Sequence, residues 1–259
     1  MPSSNSTVSN RLAGRSALIT GATRGIGLAT AERFAEHGAN IVLSASNLKA
    51  LKETAARLKQ YAVDVSFFAA DLSASSEIED LFSFAVDRHS QLDVLVNNAG
   101  MHIAKPFIDH SLEEFEHLMR VNVRSVFQLS QYAIRHMQAL GRGKVINVAS
   151  IAGLQGSMNS AAYNTSKHAV VGLTRCMALE NAKLGINVNA ICPGIVETDL
   201  VRGVEDQMVA SGMPREEFRE RIVAQIPNGR VLQPQEIANL AVYLASDESN
   251  GMNGQAVAI

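Results

Sequence analysis

A chain of 259 residues, 47% of them hydrophobic, can bury one large core, and a formal charge of −2 leaves no basic block of the kind a nucleic-acid surface needs. No apolar stretch approaches the ~18 residues that span a bilayer, and the polar residues 1–11 read as a disordered lead-in rather than a signal peptide, with a single domain expected over 12–259. Cys176 and Cys192 lie in apolar segments, which suits a reducing compartment and a cytoplasmic location rather than a disulfide framework.

Ser16–Thr20 is a short apolar strand that runs into Gly21-Ala22-Thr23-Arg24-Gly25-Ile26-Gly27 and then a helix with Ala29 and Phe34 on its apolar side. A strand, a glycine turn and a helix N-terminus make an anion site, because free N–H groups point at phosphates; the plainer reading is a tight turn that needs positive φ. A second strand, Asn40–Ser44, ends in Ala45-Ser46-Asn47. No carboxylate stands where one would bind the ribose 2′-hydroxyl of NAD. Ser46 can donate to a 2′-phosphate and Arg24 can add charge, which favours NADP(H), with NAD(H) open and a solvated Arg24 as the alternative. Helix 47–60 leads to a strand at Val65–Ala70. Its end carries Asp71-Leu72, where Asp71 either accepts from an adenine amino group or caps the helix that starts near Ser75.

Helix 75–89 precedes strand Asp93–Val96 and then Asn97-Asn98-Ala99-Gly100, small and polar residues that suit close approach to a ligand or a simple turn. A long helical stretch over 111–139 carries Asn122 in its middle. A buried amide there must be satisfied, so Asn122 is a hydrogen-bond hub, part of a proton route, or both. Strand Lys144–Ala149 delivers Ser150, and the helix beyond Gly153 and Gly156 holds Tyr163 and Lys167 at i and i+4, about 6 Å apart along one face. A free tyrosine ionises near pH ~10, and a nearby lysine cation would lower that value, so the phenol could move a proton while the serine hydroxyl holds the substrate oxygen. The alternative is an ordinary helical pair.

Strand Ile186–Ile191 ends in Cys192-Pro193-Gly194-Ile195-Val196-Glu197-Thr198, where Pro-Gly forces a turn. Residues 195–229 are charged, Met- and Gly-dotted and weakly helical, as in a mobile lid. Helix 234–246 and strand Gln255–Ile259 follow. The histidines show no paired metal-ligand spacing, so no metal is expected. Short apolar strands alternating with helices give an α/β fold, a single doubly wound Rossmann domain of about seven parallel strands with helices on both faces.

Together T-G-A-T-R-G-I-G at 20–27, N-N-A-G at 97–100, Asn122, Ser150, Y-N-T-S-K at 163–167 and P-G-I-V-E-T at 193–198 resemble the short-chain dehydrogenases/reductases across nearly all of 12–259. The resemblance implies an oxidoreductase that transfers hydride between a nicotinamide and a carbonyl or secondary alcohol of a small or medium substrate. It makes Tyr163 the acid/base, Lys167 the holder of the nicotinamide ribose, Ser150 the polariser of the substrate oxygen and Asn122 the anchor of a water beside Lys167. Gly21, Thr23, Arg24, Gly25, Ile26, Gly27, Ser46, Asp71, Leu72, Asn98, Ala99, Gly100, Pro193, Gly194, Ile195 and Thr198 would meet the cofactor. A homotetramer or homodimer through the helices near 111–139 and 161–183 is implied, with no membrane or nucleic-acid partner.

Within the family the chain is similar to 3-oxoacyl-carrier-protein reductases, the alternative activity. Its lid is longer, however, and Gly141 and Leu184 stand where carrier-docking arginines are expected. A non-catalytic nucleotide-sensing scaffold is the remaining alternative.

Overall fold

Along each strand successive apolar side chains fall on opposite sides of the sheet. Ala17, Ile19, Ile41, Leu43, Val94 and Val96 join one buried cluster, while Leu18, Val42, Leu95 and Val145 join another. Strands apolar on both faces demand cover on both, which is the mark of a parallel sheet. The computed structural model describes residues 10–210, 212–224, 226 and 228–259. Most of the expected lead-in lies outside them; Arg11, inside, is tied to Glu248 by an ion pair.

The strands are β1 Ser16–Thr20, β2 Asn40–Ala45, β3 Val65–Ala69, β4 Val94–Asn97, β5 Gly143–Val148, β6 Ile186–Cys192 and β7 Ala256–Ala258. They form one parallel sheet in the order β3-β2-β1-β4-β5-β6-β7. The helices are α1 Gly25–Glu36, α2 Leu48–Leu58, α3 Ser75–His89, α4 Leu112–Met119, α5 Ser125–Leu140, α6 Ala161–Asn181, α7 Asp199–Ala210, α8 Arg215–Ala224 and α9 Pro234–Ala245. Phe34, Leu51, Leu58, Ile237 and Val242 from α1, α2 and α9 cover one face, and Ile78, Leu81, Leu129, Ile134 and Met177 from α3, α5 and α6 the other. The chain passes from β3 across to β4 on the far side of β1, and that reversal opens a crevice beyond the strands' C-terminal ends.

Two segments differ from the sequence expectation. The helix expected over 111–139 is interrupted at Arg120–Arg124 by a π-helical turn, in which the Ser125 N–H reaches back to the Arg120 carbonyl. Such widened turns recur at functional sites, and this one holds Asn122. Segment 195–229 is more helical than its apolar pattern suggests, because charge pairs replace an apolar stripe. Glu205, almost wholly buried, is held by Arg219 at 2.6 Å and Arg215 at 3.1 Å. The segment's two ends are stitched together where the Glu197 N–H donates to the Leu232 carbonyl at 2.8 Å and the Leu232 N–H to Ile195 at 2.9 Å. Among the described residues no helix is long and apolar enough to cross a membrane.

Candidate active site

The crevice has a volume of about 1080 Å³, just above the usual range for small-molecule sites. Its floor begins at the turn between β1 and α1. Gly21 and Gly25 sit at φ +63° and +52°, where side chains are strained, and a Cβ on Gly27 would lie 2.2 Å from the Gly21 carbonyl oxygen. Gly27 therefore does not line the crevice as expected; it lets helix and turn close on each other. The Asn98 amide fixes the same turn, donating to the Thr20 and Gly21 carbonyls at 2.9 and 3.1 Å, while the Thr20 hydroxyl accepts from the Asn98 and Ala99 N–H groups at 3.0 Å. Arg24, the residue before α1, makes no side-chain cap, so the first N–H groups of that helix carry no side-chain acceptor from it. Thr23, Gly25 and Ile26 line the crevice there. This cradle fits a phosphate.

Exposed Arg24 stands 3.7 Å from Asp199, across the crevice mouth at the start of α7. Ser46, also exposed, follows β2, and Asp71 and Leu72 follow β3; all line the crevice. Asp71 does not cap α3, whose preceding residue is Ala74. Its Oδ1 accepts from the Ser73 N–H at 2.8 Å, a local turn that holds its carboxyl below the usual range.

At the other end, β5 delivers Ser150 and α6 carries Tyr163 and Lys167, and all three face the crevice. Ser150 Oγ accepts from the Ala152 N–H at 3.1 Å, and its hydroxyl lies near enough to the phenol to lower its pKa. Lys167 Nζ lies 5.6 Å from the Tyr163 ring centroid and donates to the Val148 carbonyl at 2.9 Å. The expected lowering of the tyrosine by the lysine is not what this geometry gives. Burial pushes the phenol above its ordinary value, the Ser150 hydroxyl pulls it partway back, and desolvation pushes Lys167 itself down to about 8.

Asn122 does not line the crevice. It is buried behind it, with Oδ1 accepting from the Met101 N–H at 2.9 Å and Nδ2 donating to the Met101 carbonyl at 2.9 Å and to Ser166 Oγ at 3.1 Å. Its amide is thus a hub that fixes the chain after β4 against α6, one of the two roles the sequence leaves open. Gly100 brings that chain close, since a Cβ there would stand 3.4 Å from Asn122 Oδ1 and 3.5 Å from Lys167 Nζ. Ala99, Pro193, Gly194 and Thr198 line the crevice, as does Val196, while Ile195, whose carbonyl is bound to Leu232, does not. Sequence reasoning misses Met101, His102 and His117, and also Val201, Gly203 and Val204 of α7. His102 is findable as a titratable residue just past a strand end. The α7 residues carry no such signal. Among the described residues no cluster of His, Cys, Asp or Glu could hold a metal ion.

A family model described as enoyl-(acyl carrier protein) reductase matches residues 21–259. The chain is 37% identical to D-beta-hydroxybutyrate dehydrogenase of Cupriavidus necator over 246 residues, covering 94% of this chain and 95% of that one. It is 38% identical to 2-dehydro-3-deoxy-D-gluconate 5-dehydrogenase of Bacillus subtilis over 248 residues, covering 96% and 94%. The crystal structure of a tryptophan-substituted variant of actinorhodin polyketide ketoreductase with NADPH superposes with a TM-score of 0.91 at 35% identity, covering 95% of each chain.

Proposed function

The chain belongs to the short-chain dehydrogenases/reductases, and from that premise we propose that it is an NADP(H)-preferring carbonyl reductase or secondary-alcohol dehydrogenase of small or medium substrates, with Tyr163 as its acid/base. The observation that carries this reading is the meeting of the Tyr163 phenol, the Ser150 hydroxyl and Lys167 in the crevice that the glycine turn also lines. A nicotinamide dinucleotide, when bound, supplies the hydride. The uncapped start of α1 receives its phosphates, and Arg24 and Ser46 favour a 2′-phosphate in the absence of any carboxylate after β2. The similar ketoreductase bound to NADPH supports that choice.

Tyr163, kept protonated at neutral pH by burial, donates its proton to the oxygen of a carbonyl undergoing reduction, and in the reverse direction takes it back. Ser150, already fixed by Ala152, holds the same oxygen from a second side. Asn122 keeps the Lys167 neighbourhood in place, and segment 195–229 acts as the lid. Exposed apolar side chains on the helices expected to assemble, Phe127 at 47% and Leu179 at 83%, support a homodimer or homotetramer.

Initial rates with NADPH and NADH across a panel of ketones and secondary alcohols test the reading. Tyr163→Phe is expected to lower kcat by about 10²–10⁴-fold while leaving NADPH affinity nearly intact; retained turnover removes Tyr163 from the mechanism. Similarity to a protein named putative ketoacyl reductase of Streptomyces coelicolor favours a second reading, reduction of 3-oxoacyl groups on a carrier protein, which faster turnover of the carrier thioester than of any free ketone would establish.

A further inference from the structure

His102 follows β4 by a few residues and lines the crevice beside the reacting phenol. Its ring meets the Tyr163 ring edge-on, with centroids 4.7 Å apart and planes at 84°. Its Nε2 lies 3.0 Å from Ser160 Oγ. Ser160 is buried, and its hydroxyl has no other hydrogen-bond partner among the described residues. The contact suits a Ser160 hydroxyl that donates to Nε2, the arrangement in which the imidazole proton sits on Nδ1. His102 Nδ1 has no hydrogen-bond partner among the described residues, so in that tautomer its N–H is free for a ligand. Burial, with His110 adding to it, holds the ring below its usual pKa, so His102 is neutral at pH 7. Met101, Ala104, Val201 and Val204, which line the same crevice, are apolar, and Lys167 is engaged with Val148. A ring nitrogen able to donate in such a lining, next to the phenol that handles the reacting oxygen, would discriminate by what it leaves unpaired.

We propose that His102 is a specificity-determining residue whose Nδ1–H binds a second oxygen of the substrate, so that the chain prefers vicinal or 1,3-related dioxo and hydroxy-oxo compounds to simple ketones. This rests on the carbonyl-reductase reading above. The neutral ring selects a carbonyl or hydroxyl oxygen, and Ser160 is the positioning residue that fixes the tautomer.

The test uses the full chain with NADPH and two matched pairs: 2,3-butanedione against 2-butanone, and ethyl acetoacetate against 2-hexanone. His102→Leu is expected to lower the ratio of kcat/KM within each pair by about tenfold, through KM, with the simple ketones little changed. His102→Gln, which restores an N–H donor, recovers part of the ratio, and Ser160→Ala, which frees the tautomer, lowers it by a smaller factor. Ratios unchanged in His102→Leu, or equal losses for both members of each pair, overturn the proposal, the second because it means that His102 only supports Tyr163. Failure of the wild type to reduce any of the four overturns the carbonyl-reductase reading itself, whereas turnover with unmoved ratios overturns the His102 assignment alone.

Discussion

The glycine turn and the segment over 195–229 face each other across one crevice, yet they are built on different physics. At the turn, Gly27 sits against the Gly21 carbonyl and Asn98 laces the loop to β4 with neutral hydrogen bonds. Across from it, α7 and α8 are tied by Arg202, Arg215 and Arg219 to Glu197, Asp199 and Glu205. Backbone fit is nearly independent of solvent and tolerates almost no change. Charge pairs whose arginines are half exposed are weakened by salt and can re-form in another arrangement, even where the carboxylate, as at Glu205, is buried. The contrast separates a part that must hold one geometry from a part that can open.

The largest expected effect breaks the first half of the contrast. Gly27→Ala is expected to cost about 3 kcal/mol or more in urea unfolding, because a methyl group would meet a backbone oxygen that cannot move away. A variant of normal stability would mean that the turn is not the fixed partner. Next, Glu205→Leu leaves two arginines without their buried carboxylate. Trypsin is expected to cut within 195–229 roughly tenfold faster while the main thermal transition moves by only a few degrees; equal losses of both would make the segment part of the core. Ser46→Asp sharpens the comparison from the crevice side: with no change in fold, preference is expected to shift toward NADH by about tenfold through repulsion of a 2′-phosphate. A wild type that already prefers NADH in side-by-side initial rates would overturn that assignment.

The smallest effect comes from the far end of the sheet. Lys144 is buried at β5, donates to Asn187 at 2.8 Å and Asn250 at 2.7 Å, and is pushed down to about 8 by desolvation. Depression of a base penalises its cation in the folded state, so the penalty is present at neutral pH and is relieved as pH rises from about 8 toward the unfolded value. Stability measured against pH across that window is expected to rise less steeply in Lys144→Met than in the wild type. Parallel curves would place that ammonium in contact with solvent.

What can be read from the chain follows the same division. β1, β4 and β5 are apolar on both faces, so composition alone announces them, while Ser150 and Arg24 stand beside a strand end and a helix start, and Tyr163 and Lys167 sit one turn apart in the first two turns of α6. The break at Arg120–Arg124 is invisible because a π-helical turn has the composition of the helix around it. Val196 lines the crevice and Ile195 does not because only the bond from Leu232, a residue far along the chain, decides which faces inward. Gly27 reads as a ligand contact and is a packing contact, since both need the missing side chain. The depression expected at Tyr163 rests on a charge and leaves out desolvation, which only the folded arrangement fixes.

The position of β1 between β2 and β4 has a consequence for synthesis on the ribosome. The groups proposed for the adenosine end of the cofactor lie within residues 21–72, with the closing Asn98 arriving soon after. Those proposed for the reacting end wait for Ser150, Tyr163 and Thr198. A nascent chain stalled before β5 therefore presents a phosphate cradle with no phenol beside it, and the dinucleotide cannot act as a full-length template for early folding. Its grip on the emerging protein is expected to tighten in two stages, the second only after α6 has left the exit tunnel.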